Sequence, residues 1–219
     1  MKNAKELLEL CDKIAGINIS ELAHFLKITP PKSLNNNKGW IGQLLEQYLG
    51  ATGRNLPIAD FPHLGIELKT IPINLKNLHP LESTFICTAT FKQPAMNWEQ
   101  SIVKLKLSKV LWLPIESSPK IDLINRRIGK AFLWQPNTNE AAILKQDWQE
   151  LTEIIQLGHI NLLSAKYGRY LQIRPKAANC KHNLAKYITN DGETIQTVTR
   201  GFYLRTSFTK NILANYFVC

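Results

Sequence analysis

The chain has 219 residues, 44% of them hydrophobic and 20% charged. That composition excludes a disordered or fibrous protein, and the length allows one large domain or two small lobes. With 27 Lys+Arg against 17 Asp+Glu, the formal charge is +10. No apolar run approaches the roughly 18 residues needed to span a bilayer. The opening MKNAKELLEL puts acids and lysines where a signal peptide would have its apolar core, so a cytoplasmic protein is expected. Cys11, Cys87, Cys180 and Cys219 are scattered and lack the paired spacing of a zinc site; free thiols are expected.

The excess charge is uneven along the chain. Residues 1–100 hold 10 basic against 9 acidic residues, whereas residues 155–219 hold nine against two, Asp191 and Glu193. A polyanion is the natural partner, because Lys and Arg contacts to phosphate release counterions. The plainer alternative is a solvated basic face. A membrane surface fits less well, since the basic residues are not gathered on one amphipathic helix.

In chain order, Lys5–Ala15 has helical apolar spacing. Ser20 is a cap for a short helix through Leu26, with Glu21 in its first turn. Pro30, Pro31 and Asn35–Asn37 form a loop. Trp40–Leu49 reads as a buried helix on which Gly39, Gly42 and Glu46 share one face. Leu64–Ile73 alternates like a strand and stops near Pro72; Ser83–Thr90 is a second strand. Trp98–Leu107 is helical. Val110–Ile115 fits a central strand, and Ile128–Trp134 another. Asn139–Leu157 is the longest helix, with Asn139 as cap and Gly158 as stop. Tyr170–Arg174 and Thr194–Arg205 read as strands and Ser207–Phe217 as a closing helix. The mixture predicts a mixed α/β class, with a soft boundary between two lobes near residues 157–163.

Asp60, Glu67 and Lys69 are the candidate chemistry. Two residues apart on a strand, Glu67 and Lys69 point to the same face, while Ile66 and Leu68 point into the core. A short loop with Pro62 and Gly65 can bring Asp60 beside Glu67. Two convergent carboxylates suit Mg²⁺, which takes a few carboxylates plus water and phosphate oxygens. A lysine beside them can orient an attacking water, which is the apparatus for phosphodiester hydrolysis. The triplet alone is weak, since about 1.6 acid-x-Lys matches are expected by chance and one occurs. A surface ion pair is the plain alternative. Glu46 adds a carboxylate on an otherwise apolar helix, either bridged to Lys38 or Lys69 or serving as a third acid in the same pocket. His63 lies near Asp60 and is either a second base or a surface-loop histidine. No glycine-rich phosphate loop and no Gly-x-Ser-x-Gly elbow occurs.

KGWIGQLLEQYLGA (38–51), DFPHLGIELKTIPIN (60–74), PLESTF (80–85), KVLWLPIE (109–116), DWQEL (147–151), YLQIRPKAAN (170–179) and RGFYLR (200–205) run through nearly the whole chain. In this order they resemble the MutH family of DNA mismatch-repair endonucleases and, more distantly, restriction endonucleases that cut GATC. The resemblance implies a restriction-endonuclease-like mixed sheet flanked by helices, with two lobes forming a DNA-binding cleft within a single domain over residues 1–219. It implies a catalytic set of Glu46, Asp60, Glu67 and Lys69, with Asp60 and Glu67 holding Mg²⁺. The activity implied is nicking of the unmethylated strand at hemimethylated GATC, stimulated by MutL with MutS upstream, by a monomer. Lys38, Phe85, Lys106 and the Arg174–Pro175–Lys176 loop match DNA-contacting positions, and Tyr203 matches a tyrosine associated with the adenine methyl state. A restriction-type enzyme cutting both strands and a non-catalytic DNA-binding module are the alternatives.

Overall fold

The computed structural model describes residues 2–31, 39–53, 56–90, 97–118, 120–176, 184–188 and 194–217. The expected loop at Asn35–Asn37, and also Lys38, Cys180 and Cys219, lie outside the described residues. The chain divides into two compact units. One comprises residues 1–82, 108–135 and 210–219; the other comprises residues 83–107 and 136–209. Counted over these ranges, the first holds 15 basic and 10 acidic residues and the second 12 and 7, so each carries +5. The basic excess of residues 155–219 lies in the second unit except for Lys210, and is offset there by acidic residues such as Glu140, Asp147, Glu150 and Glu153 of the long helix.

The first unit is built on a mixed four-stranded sheet. Its strands are β1 (Glu67–Asn74), β2 (His79–Pro80), β4 (Val110–Glu116) and β5 (Phe132–Trp134), in the order β2-β1-β4-β5. β1 runs parallel to β4, and β2 and β5 pair antiparallel at the edges. Val110–Ile115 is buried throughout, as a central strand requires. β1 continues through Pro72, beyond the expected stop. The Pro72 carbonyl accepts from Leu81 N–H, on the β2 side, and a residue's N–H and C=O point to the same side of a strand. The missing donor thus faces the edge where β2 pairs with only Ile73 and Asn74.

Three helices cover one face of this sheet: α1 (Ala4–Ile14), α2 (Ile19–Phe25) and α3 (Trp40–Leu49). Leu7, Leu22, Leu44 and Leu45 pack with Ile66, Leu68, Leu111 and Leu113. Ile66 and Leu68 thus face the core as expected. α3 has the bounds its periodicity predicts, and Gly50 ends it in the left-handed region at φ 71°. The cap of α2 is Asn18 rather than Ser20, because Asn18 and Glu21 form a reciprocal capping box. On the opposite sheet face, Lys69, Trp112 and Phe132 form one cross-strand row. Phe132 stacks on Tyr216 of α6 (Thr206–Tyr216) at 4.2 Å between ring centroids.

In the second unit, β3 (Thr84–Thr88), β6 (Leu171–Pro175) and β9 (Arg200–Leu204) form an antiparallel sheet in the order β3-β9-β6. A separate hairpin pairs β7 (Leu184–Ile188) with β8 (Thr194–Val198). The expected strand at Thr194–Arg205 is therefore two strands, β8 and β9, in different sheets. α4 (Ile102–Leu107) follows a 3-10 turn at Trp98–Gln100. The long helix α5 (Thr138–Gln156) is capped by Asn137 rather than Asn139, again because a glutamate three residues on, Glu140, completes the box.

Asp147, buried on α5, takes backbone N–H groups from Arg169, Tyr170 and Leu171 at 2.6–2.8 Å. Arg205 meets the same turn from the other side, donating to the carbonyls of Ala165, Tyr167 and Gly168. Gly168 is obligatory between them: φ is +76°, and a Cβ would lie 1.9 Å from Leu171 O. These bonds fix where β6 begins.

Asp147→Ala leaves three amides without their acceptor, so urea unfolding should show a loss of about 3 kcal/mol or more. Burial, reinforced by the neighbouring Asp12 charge, pushes the Cys11 thiol up to about 12. The unfolded chain loses this proton first, so the stability contributed is present below about pH 9 and lost between pH 9 and 12. Cys11→Ala should flatten the fall in stability over that window, measured by denaturation at a series of pH values.

Candidate active site

The site starts from a tight turn. Phe61 and Ile66 pair through reciprocal backbone bonds of 2.9 and 3.3 Å around Pro62–Gly65. Gly65 closes the turn at φ +62°. Asp60 and Glu67 therefore flank the same bridge. Asp60 Oδ2 accepts the Leu68 N–H at 2.8 Å, which ties the carboxylate to the first turn of the β1 backbone. Glu67 N–H donates to Lys109 O, fixing the strand against the residue that precedes β4. Lys69 Nζ reaches Glu67 Oε1 at 2.8 Å on the face opposite Leu68.

Burial separates this set from a surface ion pair. Asp60 is 7% exposed and Glu67 1%. Taking two carboxylates out of water is costly unless cations and donors compensate. Lys69 pairs with Glu67, and a further cation at these two carboxylates would offset the cost of their burial.

The backbone behind Asp60 is equally constrained. Its carbonyl accepts from both Thr52 and Gly53 N–H at 3.0 Å. A Cβ on Gly53 would stand 2.0 Å from Ala59 O and 3.2 Å from Asp60 Cα. Gly53 permits the close approach of two backbones beside Asp60. Glu46 is half-buried on α3, which packs against β1, and its carbonyl takes the N–H groups of Gly50 and Ala51 in ending the helix. Among the described residues, no three His, Cys, Asp or Glu side chains form a group able to hold a metal. Lys69 pairs with Glu67, and Asp60 is held by the Leu68 amide. Two carboxylates still fit Mg²⁺, which binds through one or two carboxylates with water and phosphate oxygens completing its shell. His63 is exposed on the turn.

The remaining candidates lie on the second unit. Cross-strand partners in an antiparallel sheet share a face. Phe85–Tyr203–Gln172 and Thr88–Gly201–Arg174 are two such rows, and a register shift between Phe85 and Cys87 brings both rows onto one face. Lys176 Nζ sits 4.9 Å from the Phe85 ring centroid and donates to Thr88 Oγ1 at 3.1 Å. Arg174 donates to Ser83 Oγ at 2.9 Å. Phe85 meets Tyr203 edge-on at 5.3 Å. Gly201 leaves room for that ring, since a Cβ there would lie 2.6 Å from Phe85 Cε2. Arg174, Pro175 and Lys176 are exposed at the end of β6. Lys106 lies half-buried on α4, outside this sheet. Ser83, Thr88 and Gly201 were not singled out by sequence; only the register reveals them.

Comparison with known proteins bears on the whole chain. A family model described as "DNA mismatch repair enzyme MutH" matches residues 49–147, which contain Asp60, Glu67 and Lys69. The "DNA mismatch repair protein MutH" of Serratia proteamaculans is 46% identical over 217 residues, 99% of this chain and 94% of that protein. The chain belongs to the MutH family. The protein of the same name from Vibrio cholerae is 49% identical over 214 residues, covering 97% of this chain and 96% of the relative. That of Shewanella putrefaciens is 46% identical, covering 99% and 96%. MutH proteins are mismatch-repair endonucleases, and this chain is an enzyme of that class. Among the described residues no helix is long and apolar enough to cross a membrane.

Gly53→Ala should force the Ala59–Asp60 backbone away from its loop. The expected outcome is a loss of roughly 1–3 kcal/mol in stability by thermal or urea unfolding, with a larger proportional loss of DNA cleavage than Gly42→Ala, where a Cβ meets nothing within 4 Å.

Proposed function

We propose that this MutH-family chain is a Mg²⁺-dependent endonuclease of methyl-directed mismatch repair. It nicks the unmethylated strand at hemimethylated GATC sites and is stimulated by MutL, with MutS acting upstream. In this reading residues 1–219 form a single endonuclease domain of two lobes that works as a monomer in the cytoplasm. The observation that carries the reading is the convergence of Asp60, Glu67 and Lys69 at the start of β1, two buried carboxylates against one ammonium.

Asp60 and Glu67 would hold the Mg²⁺. The bound ion would supply neutralisation of charge that builds on the scissile phosphate. Asp60 contributes a carboxylate whose orientation is set by the Leu68 amide before substrate arrives. Lys69, kept upright by Glu67, orients the attacking water and offsets the carboxylate charge. Glu46 acts from α3 as an assisting acid rather than as a ligand of the pair.

Recognition falls to the second unit. The Arg174–Pro175–Lys176 loop reads the major groove, where guanine O6 and N7 accept from Arg or Lys. Lys176 is preorganised for this by Phe85 and Thr88. Tyr203 abuts Phe85 and reads the methyl state of the adenine. Lys106 and Lys38 contact phosphate, which positions without specifying sequence.

The test is nicking of supercoiled plasmids carrying unmethylated, hemimethylated or fully methylated GATC, with Mg²⁺, with and without MutL. Cuts confined to the unmethylated strand and accelerated by MutL are expected. Asp60→Ala should lower the rate by about three orders of magnitude or more while DNA affinity changes by less than about threefold. Efficient double-strand cutting without MutL would replace the repair reading by a restriction-type one. Cleavage by Asp60→Ala near the wild-type rate would remove Asp60 from the metal site.

A further inference from the structure

Gln172 sits where a polar residue needs a reason. It lies in the middle of β6 between Leu171 and Ile173, which are 0% and 1% exposed. Gln172 itself is 6% exposed. Unlike those neighbours, which point to the apolar side, it shares the sheet face of Tyr203 and, two residues on, of Arg174. Its backbone pairs with β9, but its carboxamide makes no side-chain hydrogen bond to any described residue. Its oxygen and nitrogen are not among the buried side-chain atoms that lack a partner, so the stem is enclosed while the polar tip reaches the surface of this face. The charged residues on this face are already matched: Arg174 by Ser83, and Lys176 by Thr88 and the Phe85 ring.

We infer that Gln172 is a base-reading residue whose carboxamide pairs with the major-groove edge of adenine. The inference rests on the reading of this face as the DNA-recognition surface. Its chemistry is specific. A carboxamide presents one acceptor and one donor side by side, and adenine presents the complementary pair, the N6 amino donor and the N7 acceptor. Guanine offers two acceptors on that edge and suits a cation. The face thus carries both kinds of reader: cations at Arg174 and Lys176 for guanine, and the neutral Gln172 for adenine. The Asp147 and Arg205 bonds to the turn before β6 hold the strand in the one register that presents Gln172 here; a one-residue slip would send it to the apolar side.

The experiment measures kcat/KM on GATC duplexes containing adenine or 7-deazaadenine, which lacks the N7 acceptor but pairs normally. Wild type should lose about 5- to 150-fold on the 7-deaza duplex, the range for one well-placed base contact. Gln172→Met should lose a similar factor on the natural duplex and little more on the 7-deaza duplex, because the two changes remove one shared interaction. Equal, additive losses for Gln172→Met on both duplexes would make Gln172 a packing residue and overturn the inference. Undiminished wild-type cleavage of the 7-deaza duplex would overturn it without any variant, so misfolding of Gln172→Met cannot hide the answer. Failure of the underlying DNA reading is distinct: wild type would then show no preference for natural GATC over a scrambled duplex.

Discussion

One hydrogen bond sets the terms for the rest of the first unit: the Leu68 amide donating to Asp60 Oδ2. It makes the first carboxylate a fixture of the strand that carries Glu67 and Lys69. Three functional groups then depend on a single stretch of backbone, and that stretch depends on its parallel pairing with β4. β4 is buried along nearly its entire length. The chemistry is thus mounted on the least mobile part of the sheet, the arrangement that precise positioning calls for. Ile66 and Leu68 pack on α1–α3, while Glu67 and Lys69 share the opposite face with the buried Ile71 and Ile73.

The second unit solves a different problem with similar means. Its three-stranded sheet draws Phe85, Gln172, Arg174, Gly201 and Tyr203 onto one face from positions more than a hundred residues apart. The irregularity in β3 is what makes this possible. In a regular strand Phe85 and Thr88 would face opposite ways; with the shift at Ile86 both meet the Lys176 ammonium. A cation held by a hydroxyl and an aromatic ring, with no carboxylate beside it in these contacts, keeps its full charge for a polyanionic partner.

Much of this was legible in the sequence where the controlling interactions are local. The period of Trp40–Leu49 gave a helix with correct bounds, and the two-residue spacing of Glu67 and Lys69 gave their shared face. The Asn-x-x-Glu signal at Asn18–Glu21 and Asn137–Glu140 was present too, but Ser20 and Asn139 drew the cap away from it. β2 has only two residues, too short to show a period, and of the strand expected at Ile128–Trp134 the last three residues form β5. Pro72 misled because its missing donor matters only if a partner strand lies on that side. The shared face of Phe85, Gln172, Arg174 and Tyr203 was not legible from spacing, since it is created by register between strands far apart in the chain. Gly53 and Gly201 carry no sequence signal either; each is required by another backbone or ring that only the folded structure brings near.

The strand order of the second sheet has a consequence for synthesis. β9 is the central strand, yet it emerges last of the three, about 110 residues after β3. At a typical elongation rate of about 5–20 residues per second, β3 waits roughly 6–20 s on the ribosome for its one partner strand. The first unit likewise gathers its pieces from three separated stretches, the last beginning at Lys210. A nascent chain therefore holds Asp60, Glu67 and Lys69 well before the three-stranded sheet of the second unit can close. Long-range closure of this kind folds slowly and leaves strand edges open in the interim.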